Sequence, residues 1–108
     1  MTSLNRWRYF LQVAETASVS RAAEKLGLSQ PALSRQIALL EGELGASLFR
    51  RTGRGLALTQ AGVAFRAKAV DILRRIAALP EEIAADGGAA TGPVAFGAPP
   101  FMGRILTG

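Results

Sequence analysis

Chemistry in this chain is confined to a few side-chain types. The 108 residues include no cysteine and no histidine. That excludes disulfides, thiolate zinc sites, Cys–His or Ser–His catalysis and a histidine pH switch. The few acids fall on helix surfaces, and no acid–base pair, metal-ligand cluster or nucleophile–base set can be assembled from them. The chain does not read as an enzyme, and no cofactor or metal is expected. What remains is charge: thirteen Lys and Arg against eight Asp and Glu, net +5. Residues 1–68 hold ten of the basic groups and four acids, and the other forty residues hold three and four. The excess in the first part suits a polyanion partner; a plain solvated cationic surface is the alternative.

Two stretches carry polar and basic groups at a spacing that could meet a polyanion. The first is residues 30–44, QPALSRQIALLEGEL. Leu33, Ile37, Leu40 and Leu44 make its apolar stripe. At about 100° per residue, Pro31, Arg35, Ala38 and Gly42 point directly away and Ser34 lies at the stripe's edge. A merely solvated helix would carry Glu and Lys on that outward face. Small residues and one arginine instead permit close approach, which points to docking in a DNA groove. Gly42 costs about 1 kcal/mol against alanine in a helix interior, and no sequence feature accounts for it. The second stretch is residues 48–59, LFRRTGRGLALT, patterned as a β-hairpin that turns at Gly53-Arg54-Gly55. Arg50, Arg51 and Arg54 sit at its base and tip. They either keep a turn soluble or form a wing along a phosphate backbone or in a minor groove, and a neighbouring groove-docking helix favours the wing.

Other elements must hold these two in place. Residues 3–16 read as a helix with Leu4, Trp7, Leu11 and Ala14 on one face, widened by Phe10 and Val13. Thr2 or Ser3 can cap it, and Trp7 and Phe10 belong to the core. Residues 19–26 form a shorter helix capped by Ser18, with Val19, Ala22, Ala23 and Leu26 inward. Gly27 ends it, Leu28 plugs the core, and Ser29 caps the helix at 30–44, whose first turn takes Gln30 and Pro31. So brief a connection makes the two helices cross steeply. Gly45 ends the second of them.

Residues 60–86 follow as a long helix capped by Thr59. Phe65, Ala69, Ile72, Ile76, Leu79 and Ile83 step at heptad spacing, beside a second stripe of Val70, Leu73 and Ala77. One stripe can cover the small domain and the other a second copy of the chain. Alternatively both pack on residues 1–58. A helix of roughly 40 Å is too long for that, so dimerisation is favoured. Pro80 predicts a kink or break at about 3 kcal/mol, with Glu81 and Glu82 opening a last helical piece. The organisation is thus a domain at 1–59, a linker helix at 60–86, a flexible hinge at 87–92 and the start of another domain at 93–108. No apolar run suffices to span a membrane, and MTSLNRWRYF lacks a signal-peptide core. A cytoplasmic location is the expectation.

These residues together resemble the N-terminal part of a LysR-type transcriptional regulator. The resemblance runs from Leu4 to about Gly97. It rests on Phe10, Ser18-x-Ser20-x-Ala22-Ala23-x-x-Leu26 and Ser29-Gln30-Pro31-Ala32-Leu33-Ser34-Arg35-Gln36-Ile37. It continues with Leu40-Glu41-x-x-Leu44-Gly45, Leu48-Phe49-x-Arg51 and Leu58-Thr59-x-Ala61-Gly62. Molybdate-responsive regulators have a winged helix that begins similarly. The resemblance implies a mainly α fold: a winged helix-turn-helix of three helices plus a β-hairpin, then a long dimerisation helix. It implies double-stranded DNA as partner, an interrupted palindrome bound by a homodimer, a tetramer at full length, and RNA polymerase as a candidate partner. A small-molecule inducer would bind only an effector domain. Gly92–Gly97 resembles the first strand of that domain, and its remainder is expected to be truncated here. Gly42 and Pro80 depart from the family's pattern.

Carried over by position, Gln30, Pro31, Ala32, Ser34 and Arg35 would enter the major groove. Gln30 would read adenine or a phosphate, Arg35 would read guanine, and Pro31 and Ala32 would touch thymine methyls. Ser18, Ser20 and Ser34 resemble phosphate-contacting positions, and Arg51 and Arg54 belong to the wing. Arg51 could instead pair with Glu41 or Glu43. An α-helical protein–protein module without DNA binding is the competing reading, and the heptad seam would serve it equally well.

Overall fold

The structure is a computed structural model that describes residues 4–87. Its elements are α1 (Leu4–Thr16), α2 (Val19–Leu26), α3 (Gln30–Leu44), β1 (Phe49–Thr52), β2 (Gly55–Leu58) and α4 (Gln60–Gly87). Three helices, an antiparallel hairpin and a long fourth helix make the mainly α winged helix-turn-helix expected from the sequence. The chain divides into two compact units, one ending at Val70 and the other beginning at Asp71.

The first unit closes around Phe10, Val13, Ala22, Ala23, Leu33, Ile37, Leu40 and Leu48. The Phe10 ring lies 5.2 Å from that of Phe49 and 5.1 Å from that of Phe65, and Trp7 meets Phe65 edge-on at 5.3 Å. The helix signals act as read. Ser18 Oγ accepts the Arg21 N–H at 3.1 Å, Ser29 Oγ accepts the Ala32 N–H at 3.2 Å, and Gly27 and Gly45 take left-handed φ of 71° and 69°. Leu44 departs from its expected place in the stripe, being 41% exposed. It lies in the last turn, where the chain leaves α3 through Gly45, and Leu48, only 1% exposed, fills the core beyond it.

In the hairpin Phe49 faces Leu58 and Arg51 faces Leu56, while Arg50 faces Ala57. The turn proper is Gly53-Arg54, because Gly55 already pairs with Thr52. Strand alternation puts Phe49, Arg51, Leu56 and Leu58 on one side and Arg50 on the other. Phe49, Leu56 and Leu58 pack on the core, so Arg51 is on the side turned toward the helices. Two close backbone approaches lock the arrangement. The Leu56 N–H donates to the Ala17 carbonyl at 3.2 Å, and a Cβ on Gly55 would stand 2.7 Å from that oxygen. Ala17 itself holds φ 56°, a left-handed geometry costing about 1 kcal/mol in a residue with a Cβ. At Gly62, in the first turn of α4, a Cβ would collide with the Leu48 carbonyl oxygen.

Thr59 caps α4 as expected, its Oγ1 accepting the Gly62 N–H at 3.0 Å while donating to the Ser47 carbonyl at 2.6 Å. Two of the residues expected in a seam with a second copy are occupied within the chain instead. Phe65 packs on the core rings and Ala69 is 0% exposed. The heptad spacing sets only which residues share a face. It could not show that the first turns of this face cover the chain's own domain.

The second unit is described from Asp71 to Gly87. Ile72, Leu79 and Ile83 are 38%, 38% and 63% exposed, and Ile76 is half-buried. Arg75 and Asp71 form an exposed i,i+4 ion pair at 3.3 Å, which contributes a few tenths of a kcal/mol at about 25 °C. The expected break at Pro80 is absent, since α4 continues through it to Gly87. Pro80 and residues 81–86 are exposed, so water can serve the Ile76 carbonyl that loses its N–H partner. Gly87, expected to open the hinge, instead ends α4, and the expected caps Thr2 and Ser3, residues 88–92 of the hinge and the start of a further domain lie outside the described residues. Among the described residues no helix is long and apolar enough to cross a membrane.

Candidate nucleic-acid interface

The polar residues singled out in the sequence converge because three elements meet. The N-cap and first turn of α2 deliver Ser18 and Ser20, the first turns of α3 deliver Gln30 and Ser34, and the hairpin delivers Arg51 and Arg54. All six line one open cleft of about 420 Å³. Arg21 lines it too, so three guanidinium groups border the cleft and no carboxylate does. Arg21 was not singled out from the sequence. The hairpin, docked on Ala17, carries Arg51 and Arg54 to the cleft that Arg21 also lines, and the sequence carries no signal for that contact.

Pro31, Ala32 and Arg35 are exposed on α3 but do not line this cleft. They occupy the outward side of the same turns that carry Gln30 and Ser34. The surface therefore has two parts: a cationic recess between α3 and the hairpin, and a small-residue ridge with Arg35 upon it. A ridge of that kind suits a groove floor, and a cationic recess beside it suits the flanking phosphates. Ser18 Oγ accepts the Arg21 N–H of its cap and pairs with Ser20 Oγ at 3.2 Å, so Ser20 has more hydrogen-bonding capacity left than Ser18.

Charge pairing settles which cations remain available. Arg6 is held across α1 and α3, its Nε donating to Gln36 Oε1 at 2.9 Å and its Nη1 to Glu43 Oε2 at 2.8 Å. Glu41 Oε2 accepts the backbone N–H of Leu48 at 2.7 Å and of Phe49 at 3.4 Å. The alternative in which Arg51 pairs with Glu41 or Glu43 is thereby corrected. No hydrogen bond or ion pair joins Arg51 to either of them, and Arg51 borders two clefts beside Ser34. Among the described residues no group of three or more acidic, His or Cys side chains could hold a metal.

Comparison with known proteins places this geometry. The family described as "Bacterial regulatory helix-turn-helix protein, lysR family" matches residues 4–63. Among curated relatives, the HTH-type transcriptional regulator BudR of Raoultella terrigena is 53% identical over 66 residues, covering 61% of this chain and 23% of that protein. The regulator BbuR of Bordetella bronchiseptica is 43% identical over 88 residues, covering 82% of this chain and 27% of that protein. This chain thus spans about a quarter of the length of these relatives. Among solved structures, the CbnR DBD–DNA complex is similar at a TM-score of 0.73 and 36% identity, over 79% of this chain and 98% of that one. The BenM DBD/benA site 1 DNA complex is similar at 0.73 and 36%, over 80% and 100%. The matched span takes in α1, α2, α3, both hairpin strands and the start of α4, the elements whose packing forms the cleft, and this chain belongs to the LysR family of bacterial regulatory helix-turn-helix proteins.

Proposed function

We propose that this chain is the DNA-binding part of a transcriptional regulator, set in the cytoplasm with the DNA it reads. The observation that carries the reading is the cleft where α2, α3 and the hairpin converge, bordered by Arg21, Arg51 and Arg54 with no carboxylate. α3 lies in the major groove, with Gln30, Pro31, Ala32, Ser34 and Arg35 toward base edges. Ser18, Ser20, Arg51 and Arg54 meet the phosphates on either side. The solved relatives named above are DNA complexes, which supports the same use of these elements here. The regulator acts as a dimer on an interrupted palindrome. The exposed apolar residues Ile72, Leu79 and Ile83, with Ile76, are the part of the heptad seam left for a second copy.

A fluorescence titration of labelled A/T-rich palindromic duplex at several salt concentrations tests this. Arg35→Ala should cost about 1–3 kcal/mol on a specific site and relax base preference at one position. Arg54→Ala should weaken binding to every sequence and make the salt dependence shallower by about one unit of slope. Specific affinity untouched by Arg35→Ala would remove α3 from the groove. A stable dimer that binds no duplex at any salt would favour the protein–protein module instead.

A further inference from the structure

We propose that Glu41 is a positioning residue for DNA binding, fixing the hairpin's place against α3 so that Arg51 and Arg54 share one surface with the recognition helix. The inference rests on the DNA-binding reading above. Between the end of α3 and the start of β1 the chain runs only from Gly45 to Leu48. Four amides of this crossing and its landing point converge on one residue. The Glu41 carbonyl accepts the N–H of Gly45 at 2.8 Å and of Ala46 at 3.2 Å. Its carboxylate accepts the N–H of Leu48 at 2.7 Å and of Phe49 at 3.4 Å. The backbone contacts close a helix as any residue could. The side-chain contacts need an acceptor oxygen at this reach and position.

A carboxylate in the last turn of a helix sits against the macrodipole, and Glu41 has no cationic partner among the described residues. The hairpin amides are the groups it is placed for. Phe49 opens β1, and Arg51 lies two residues on, on the same side of the strand. Glu41, Ser34, Phe49 and Arg51 all border one small cleft between α3 and the hairpin. The hairpin is thus held twice: β1 by Glu41, and β2 by the Ala17 carbonyl at Leu56. Without the first tie, β1 keeps its strand partner but loses its fixed distance from α3. The arginines then contribute charge without register.

The test is a thermodynamic cycle on the whole chain, by fluorescence anisotropy with a labelled A/T-rich palindrome and a random duplex, each variant first checked for folding by circular dichroism. Glu41→Ala should weaken both duplexes about tenfold and make the salt slope shallower by about 1. Glu41→Asp keeps the charge but draws the carboxylate back by about one C–C bond, and should lose nearly as much. Glu41→Gln retains an acceptor oxygen at the same reach and should recover to within about threefold. In an Arg51→Ala/Arg54→Ala background, Glu41→Ala should change affinity by less than about twofold. An equal loss in both backgrounds, or an unchanged salt slope, overturns the positioning role and leaves only a general effect on folding. If Glu41→Ala fails to fold, the Asp and Gln variants decide by the same criteria. The double arginine variant separates the two readings. Full binding by it sinks the wing as a DNA contact, whereas weakened binding by it with Glu41→Ala unaffected sinks only the role of Glu41.

Discussion

The two ends of α4 carry one repeat and meet two fates. Phe65 and Ala69 belong to the first unit, where Phe65 meets Trp7 and Phe10 edge-to-face and Ala69 is fully covered. Ile72, Leu79 and Ile83 continue the same spacing in the second unit with 38%, 38% and 63% of their surface open. Spacing of three and four sets which residues share a face. It does not set what covers the face. Coverage depends on where the preceding domain places its own apolar surface, and here the core around Phe10 and Leu48 claims the first three turns. The lesson is local: a heptad run that begins next to a packed core is partly core.

The largest effect should come from the covered end. Phe65→Ala removes a ring packed on two others and should destabilise the first unit by about 3 kcal/mol. Thermal melts followed by circular dichroism should show that loss at every protein concentration. A loss that vanished on dilution would mean that Phe65 is instead held by a second copy. The open end should behave the opposite way. Replacing Ile72, Leu79 and Ile83 together by Gln should leave the melt of the first unit unchanged within about 0.5 kcal/mol, as surface changes do. In sedimentation equilibrium the same change should raise the dimer dissociation constant by about 100-fold or more, since each buried aliphatic side chain contributes roughly 1.5–3 kcal/mol. A wild-type chain that sediments as a monomer throughout would remove the seam altogether.

The sequence made the helices legible because their signals are local. Ser18, Gly27, Ser29 and Gly45 each act within one turn of where they stand, and the bounds of α2 and α3 follow from them. The hairpin was legible as a pattern, but its docking was not. That docking depends on Ala17 adopting a left-handed φ, on Gly55 leaving room for the Ala17 carbonyl, and on Glu41 reaching amides seven and eight residues ahead. Each is a contact between residues whose types alone suggest something else. Glu41 reads as a surface acid and, in the alternative to the wing, as one of two partners for Arg51, yet backbone amides take the acid and leave the arginine at the cleft. Arg21 joined the cleft for the same reason. At Pro80 the expected break is absent, because the rule that proline ends helices weakens where the surrounding positions are wet.

The smallest effect concerns an uncovered position inside the covered unit. Gly42 is exposed on α3, its backbone is helical, and a Cβ there would meet nothing within 4 Å. Nothing in the fold requires glycine at this point. Gly42→Ala should therefore stabilise the first unit by about 1 kcal/mol, visible as a rise of roughly 4–8 °C in Tm. Gly42 also lies on the outward side shared by Pro31, Arg35 and Ala38, nearly two turns beyond Arg35. If only the first turns of α3 enter the groove, affinity for the palindromic duplex should stay within about twofold of the parent. A variant that melts higher but binds severalfold more weakly would mean that DNA lies against α3 over most of its length. Glycine would then be explained by close approach to the partner, and the gap at this position would belong to the interface and not to the fold.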